Sequence, residues 1–234
     1  MLRSSPGCPP RDGRYGHHVL DAVLFDLDGT LTDPAVGITG SFRHALAAVG
    51  HPVDPSEDLR WVIGPDLRDS LDRVGVAAAQ HDAVINSYRA HLREIGLFQA
   101  TLHSGMAEVL ARLRADEVPL ALASAKMISM GETTLEHFDL RHHFDVIAGT
   151  LADGAARSKA QIVADALDGL GNPEPVRVAM VGDRMHDIEG ARANGCIAIA
   201  VSWGFAEAGE LERHPPDHLV DTPGELATLL RALG

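Results

Sequence analysis

Apolar residues in this chain fall into short runs separated by longer stretches of mixed, helix-patterned sequence. Ala22-Val23-Leu24-Phe25 is too short for an ordinary helix and predicts a buried β-strand. Short apolar runs at Leu120–Ser124, Asp145–Gly149, Val176–Asp183, Ile197–Trp203 and His218–Val220 predict further strands. Charged amphipathic stretches or tight polar loops lie between them. That alternation predicts an α/β fold, a doubly wound parallel sheet with helices on both faces. Ligands in such sheets bind beyond the carboxyl ends of the strands, where the strand order reverses.

Residues 36–102 break the alternation. Ser41–Val49, Ser56–Val74 and Ala79–Glu94 carry helical patterning with no strand among them. The predicted organisation is a core of residues 19–35 and 103–234, interrupted by a helical domain of residues 36–102. Asp33-Pro34 and Thr101–Gly105 stand at its two hinges. Residues 1–18, rich in Pro, Gly, Ser, Arg and His, predict a disordered leader.

The chemistry concentrates at two strand ends. The first strand runs into Asp26-Leu27-Asp28-Gly29-Thr30. In extended chain, alternate side chains point the same way, so Asp26 and Asp28 can serve one site, and Gly29 permits a sharp turn directly after them. Two anions so close repel each other unless a cation or a proton lies between them. The strand Val178-Ala179-Met180-Val181 also leads into acids, in Gly182-Asp183-Arg184-Met185-His186-Asp187. Asp183 and Asp187 are one helical turn apart and can face the same side. Four carboxylates at one crevice call for a hard cation with oxygen ligands, for which Mg²⁺ is the natural choice.

Asp26-Leu27-Asp28-Gly29-Thr30 resembles the DxDGT signature of the haloacid dehalogenase-like superfamily, and the other motifs follow in family order: Ser124, Lys159, then Asp183 and Asp187. Val181–Gly195 and Val201-Ser202-Trp203-Gly204-Phe205 are similar to the phosphoglycolate phosphatase-like branch. The resemblance implies Asp26 as nucleophile and Asp28 as general acid and base. It implies Ser124 and Lys159 as phosphate-binding residues, with Gly29 and Thr30 completing that set. Lys159 also neutralises the nucleophile. Asp26, the Asp28 carbonyl and Asp183 would hold Mg²⁺, with Asp187 a water-mediated or outer ligand. The helical insert resembles the cap domain of the first subfamily, and Arg43, His44, Asp66 and Arg68 are candidates to face its cleft. Lys126 rivals Lys159 but lies beyond the Ser124 turn and fits the pattern less well. Two departures bear on substrate: Ala125 stands where many members have Asn or Ser, and Met127–Met130 lacks the usual proline. For Asp28 to act first as an acid it must begin protonated, which its acidic neighbours would favour.

The formal charge of −13 argues against a nucleic-acid backbone as partner. No apolar run approaches the ~18 residues that span a membrane. Cys8 and Cys196 form no CxxC and predict no disulfide, which fits a reducing cytoplasm. The function expected is a Mg²⁺-dependent phosphatase acting on a small phosphorylated metabolite, phosphoglycolate-like or a nucleoside monophosphate. Phe25–Asp33, Ser41–Leu46 and Gly182–Asp187 also resemble an actinobacterial protein tyrosine kinase of the same fold, which gives the alternative of a protein substrate. No nucleotide-binding GxxxxGK[ST] accompanies that resemblance.

Overall fold

Ala22–Phe25 form β1, and all four residues are buried because the strand is covered on both faces. Ala22 and Leu24 join one apolar cluster; Val23 and Phe25 join the other. This alternation is the period-2 geometry of a strand. The computed structural model describes residues 20–151 and 157–234. The expected leader, including Cys8 and His17-His18, lies outside the described residues, as do Gly154, Ala155 and Ala156 of the lysine motif.

After β1 the chain forms β2 (Thr32–Asp33), α1 (Ala35–Ala48), α2 (Leu67–Arg73), α3 (His81–Glu94) and β3 (Thr101–Leu102). It continues through α4 (Met106–Ala115), β4 (Leu120–Met127), α5 (Ile128–His137), β5 (Val146–Thr150), α6 (Lys159–Gly169) and β6 (Val178–Gly182). The last elements are α7 (Met185–Ala193), β7 (Ile197–Val201), α8 (Glu210–Arg213), β8 (His218–Val220) and α9 (Pro223–Leu233). Six strands form one sheet in the order β5-β4-β1-β6-β7-β8, with every neighbouring pair parallel. Residues of α4, α5 and α9 pack on one face, and residues of α6 and α7 on the other. Consecutive strands run outward in both directions from the β1–β6 boundary. That boundary is the topological switch point of a doubly wound sheet.

The segment between the hinges builds most of a third apolar cluster, from Ile38, Phe42, Leu46, Leu59, Ile63, Leu71, Val84 and Leu92, which Met130 of the core joins. Two expectations for it need correction. The single helix expected over 56–74 is divided into a 3₁₀ turn, Arg60–Val62, and α2. Asp54 and Asp58 accept from the amides of Ser56 and Arg60 at 2.7 and 2.9 Å, so local side-chain bonds compete with helix over 54–60. Gly64, at φ +104°, and Pro65 then stop the 3₁₀ turn, and Asp66 caps α2 by accepting from the Arg68 amide at 2.7 Å. The second correction concerns strands. Thr101–Leu102 pairs antiparallel with Thr32–Asp33, so the two hinges form a short ribbon.

In α1, Gly37 packs so tightly on the backbone of Gly96 that an added Cβ would lie 2.0 Å from the Gly96 carbonyl oxygen, whereas nothing lies within 4 Å at Gly40. Gly37→Ala should therefore lower stability by about 1–3 kcal/mol by overpacking. Gly40→Ala should raise it by about 0.5–1 kcal/mol through helix propensity. Urea midpoints of the two variants check the contrast, and equal midpoints would contradict this packing.

Candidate active site

The switch point carries the acids. Asp26 directly follows β1, and its amide donates to Val181 O at 2.9 Å, binding it to the neighbouring strand. Asp183 directly follows β6 and is fully buried. Its Oδ2 accepts from the Phe205 amide at 2.7 Å and its Oδ1 from the Thr30 hydroxyl at 3.4 Å. Asp187 lies in the first turn of α7, and its Oδ2 accepts from the Arg184 amide at 3.0 Å. Carboxylate oxygens from Asp26, Asp183 and Asp187 all lie within 4.8 Å of one another.

One ammonium group serves this cluster. Ser158 caps α6 in a capping box with Gln161, which fixes Lys159 at the first turn. Lys159 Nζ lies 2.8 Å from Asp26 Oδ1, 2.7 Å from Asp187 Oδ1 and 2.9 Å from Ala123 O. Burial alone would favour neutral Lys159, but Asp187 and Asp26 outweigh it and hold its pKa above the ordinary lysine value. Asp183 is pushed well above the usual carboxylate range by burial, then by the charges of Asp187 and Asp26. Asp187 is raised by burial, with Asp26 adding to the effect and Lys159 opposing it. Three buried carboxylates with one lysine leave an excess of negative charge, and their donor set is all oxygen. Those residues fit a hard divalent cation.

Asp28 stands apart. Both of its carboxylate oxygens lie 2.7 Å from Lys126 Nζ, and the Lys126 side chain is only 6% exposed. The expected set of four carboxylates is thus three in the cluster, with the fourth neutralised separately. Where acidic neighbours were expected beside Asp28, the structure places a cation. Lys126 does not replace Lys159 at Asp26 but pairs with Asp28. It stands two residues after Ser124 on β4, and strand alternation puts both on one side. β4 shifts register between Ala123 and Met127 where it pairs with β5, so the strand runs past the turn expected at Ser124.

A cavity of about 610 Å³ lies over these groups, lined by Asp26, Asp28, Ser124, Lys126, Lys159, Asp183 and Asp187. Ile63, Asp66, Tyr88 and Arg89 line it from the inserted helical segment. Burial, and then the charge of Asp28, push the Tyr88 hydroxyl above the ordinary tyrosine value, so it remains a proton donor. Gly29 and Thr30 do not line the cavity as expected. Their amides donate to Thr32 O and Leu27 O, at 2.7 and 3.3 Å. Gly29, at φ +90°, leaves room for Asp183, whose Oδ2 would lie 2.2 Å from an added Cβ. Of the expected cleft residues only Asp66 lines the cavity. Arg68 pairs with the exposed Asp82 at 2.6 Å, Arg43 bonds the Asp54 carbonyl at 2.6 Å, and His44 stacks on His91.

Residues 23–201 match the family model of haloacid dehalogenase-like hydrolases. The chain belongs to that family, and its relatives include phosphatases. It is 39% identical to the tyrosine-protein kinase PtkA of Mycobacterium tuberculosis over 210 residues, covering 90% of this chain and 68% of that protein. It is 35% identical to a 5′-nucleotidase of Pseudomonas aeruginosa, covering 90% of this chain and 94% of the relative. A phosphoglycolate phosphatase of Synechococcus elongatus is 30% identical, with 88% and 95% covered. Among solved structures, a haloacid dehalogenase-like hydrolase from Streptococcus pneumoniae superposes with a TM-score of 0.82 at 28% identity, covering 90% of this chain and 98% of its own. The structure of PtkA superposes with a TM-score of 0.79 at 37% identity, covering 91% and 98%.

The raised carboxyl pKa values fix a sign. Without a cation, folding takes up protons at Asp183 and Asp187 at pH values above their reference of 3.8. The folded state therefore loses stability as pH rises from 3.8 towards the raised values. Thermal midpoints in chelator should fall across that window, and fall less in Asp183→Asn. A divalent cation should raise the midpoint more at neutral than at acid pH, since it competes with protons for the same oxygens. A midpoint unmoved by cations at neutral pH would contradict the cation site.

Proposed function

We propose that this protein is a Mg²⁺-dependent phosphomonoester hydrolase that works through an aspartyl phosphate on Asp26. The observation that carries this reading is the buried cluster of Asp26, Asp183 and Asp187 around Lys159 at the switch point. Its substrate is a small phosphorylated metabolite, phosphoglycolate-like or a nucleoside monophosphate; a cavity of about 610 Å³ is of the size small ligands occupy. Residues 19–35 and 103–234 act as the core, and residues 36–102 as a cap that excludes water. The cytoplasmic setting rests on cysteine usage. Among the described residues no helix is long and apolar enough to cross a membrane.

Asp26, Asp183 and the Asp28 main-chain carbonyl would hold Mg²⁺, with Asp187 as an outer ligand. When bound, the ion supplies positive charge that offsets the charge on the phosphoryl oxygens. A carboxylate oxygen of Asp26 attacks phosphorus in line as the bond to the leaving oxygen breaks. Lys159 holds Asp26 in place and, with Ser124, donates to the phosphoryl oxygens. Asp28 gives its proton to the leaving oxygen and later takes one from the water that cleaves the acyl phosphate. That role requires Lys126 to release Asp28 when substrate enters, an anionic phosphoryl group being a natural new partner for the ammonium, and it requires Asp28 then to take up a proton from water or from a phosphate monoanion before passing it to the leaving oxygen.

The likeness to PtkA supports a second reading, transfer from ATP to a protein tyrosine. One experiment separates the two. Asp26→Asn should abolish phosphate release and any phosphoenzyme. Asp28→Asn, given a substrate whose leaving group needs little protonation, should accumulate phosphoenzyme because water activation fails. Mass spectrometry of the quenched Asp28→Asn protein should show the phosphoryl mass on the peptide containing Asp26. ATP-dependent mass on a tyrosine instead would overturn the phosphatase reading.

A further inference from the structure

Arg184 lies between Asp183 and α7, on the turn that carries two of the three clustered carboxylates. Its guanidinium charge reaches Asp183 and favours the ionised carboxylate, but its hydrogen bonds run elsewhere. Nε lies 2.9 and 3.1 Å from the two carboxylate oxygens of Glu210, and Nη1 donates to Ile63 O at 2.6 Å. Ile63 is 121 positions away, inside the helical insert. Both charged side chains are buried, at 8% and 3% exposure.

A buried ion pair adds little net stability, because desolvation offsets its attraction. What the pair does supply is direction. Glu210 is itself held by the amides of Met185 and Glu207, at 2.7 and 2.9 Å. The planar guanidinium, gripped at Nε, then has Nη1 aimed across the cavity edge at the insert. The opposing loop is shaped to meet it: a Cβ on Gly64 would lie only 2.8 Å from Nη1. Phe205 makes a parallel tie, its amide on Asp183 and its ring against the apolar cluster of the insert. The hinge ribbon, by contrast, is only two residues long in each strand.

We propose that Arg184 is a latch: a positioning residue that holds the Ile63–Asp66 loop over the cavity and couples closure of the insert to the turn bearing Asp183 and Asp187. This rests on the proposed cap role of residues 36–102. It assigns Arg184 no contact with the reacting atoms. A charge-assisted hydrogen bond to Ile63 is the link that must break for the loop to lift, so its loss shifts the balance towards the open state.

The test is hydrogen exchange of the whole chain, read by mass spectrometry, with Arg184→Gln and Arg184→Lys. In Arg184→Gln, amides of residues 62–67 should exchange about tenfold faster, as expected for losing a hydrogen bond to a charged group. Exchange in β1, β6 and α6 should stay at the wild-type rate. Steady-state kinetics on a phosphorylated metabolite should show the loss mainly in KM, with kcat changed less. Arg184→Lys keeps the charge on Glu210 but not the fork, so it should fold and still show fast exchange at 62–67. It also serves as the readout if Arg184→Gln does not fold. Wild-type exchange at 62–67 in the folded variants, or faster exchange spread evenly over the core strands, would overturn the latch. Failure of the phosphatase reading would look different: wild-type protein releasing no phosphate from any donor, with the exchange result unaffected.

Discussion

A single ammonium group, that of Lys159, bridges two of three carboxylates crowded together where the sheet reverses its strand order. The remaining elements are arranged so that this crowding can persist. β1 and β6 must be adjacent and parallel for Asp26 and Asp183 to meet. The capping box of α6 must place Lys159, and the first turn of α7 must place Asp187. Burial strengthens every one of these interactions, attractive and repulsive alike. The result is a site whose crowded negative charge must be met by protons or by a further cation, a property that fits a doubly charged ion.

Asp28 and Lys126 add a second, separate neutralisation. Keeping the two pairs apart gives the two aspartates different surroundings, although they are only two residues distant in the chain. Asp26 faces Lys159 and the acids; Asp28 faces Lys126 and the Tyr88 side of the cavity. Two carboxylates in unlike environments can take unlike roles, which is the logic of an attacking group beside an acid and base.

The parallel sheet and its switch point were legible because short apolar runs, each ending in acids or turn residues, carry a strong period signal. Asp26, Asp183 and Asp187 could be grouped from two acidic strand ends and a one-turn spacing, whereas Lys159 was named by resemblance alone. The pairing of Lys126 with Asp28 was not legible because it depends on β4 continuing past Ser124 with a shifted register, and register is a property of the neighbouring strand. Gly29 and Thr30, expected among the phosphate-binding residues, are not among those that line the cavity. Their amides close the turn itself, and the Thr30 hydroxyl supports Asp183. The break in the helix expected over 56–74 was visible in Gly64-Pro65, but the pull of Asp54 and Asp58 on nearby amides is a local competition that apolar periodicity does not register.

The Arg184 to Ile63 hydrogen bond joins the insert to the core at the turn that bears the acids. The most direct test of the central claim is a crystal structure with Mg²⁺ and beryllium fluoride, a mimic of a phosphoryl group. The account predicts beryllium bonded to an oxygen of Asp26, with Lys159 still on that carboxylate. It also predicts a metal ion ligated by Asp26 and Asp183 at about 2.0–2.1 Å. Beryllium on any other side chain, or a metal held away from Asp183, would contradict it.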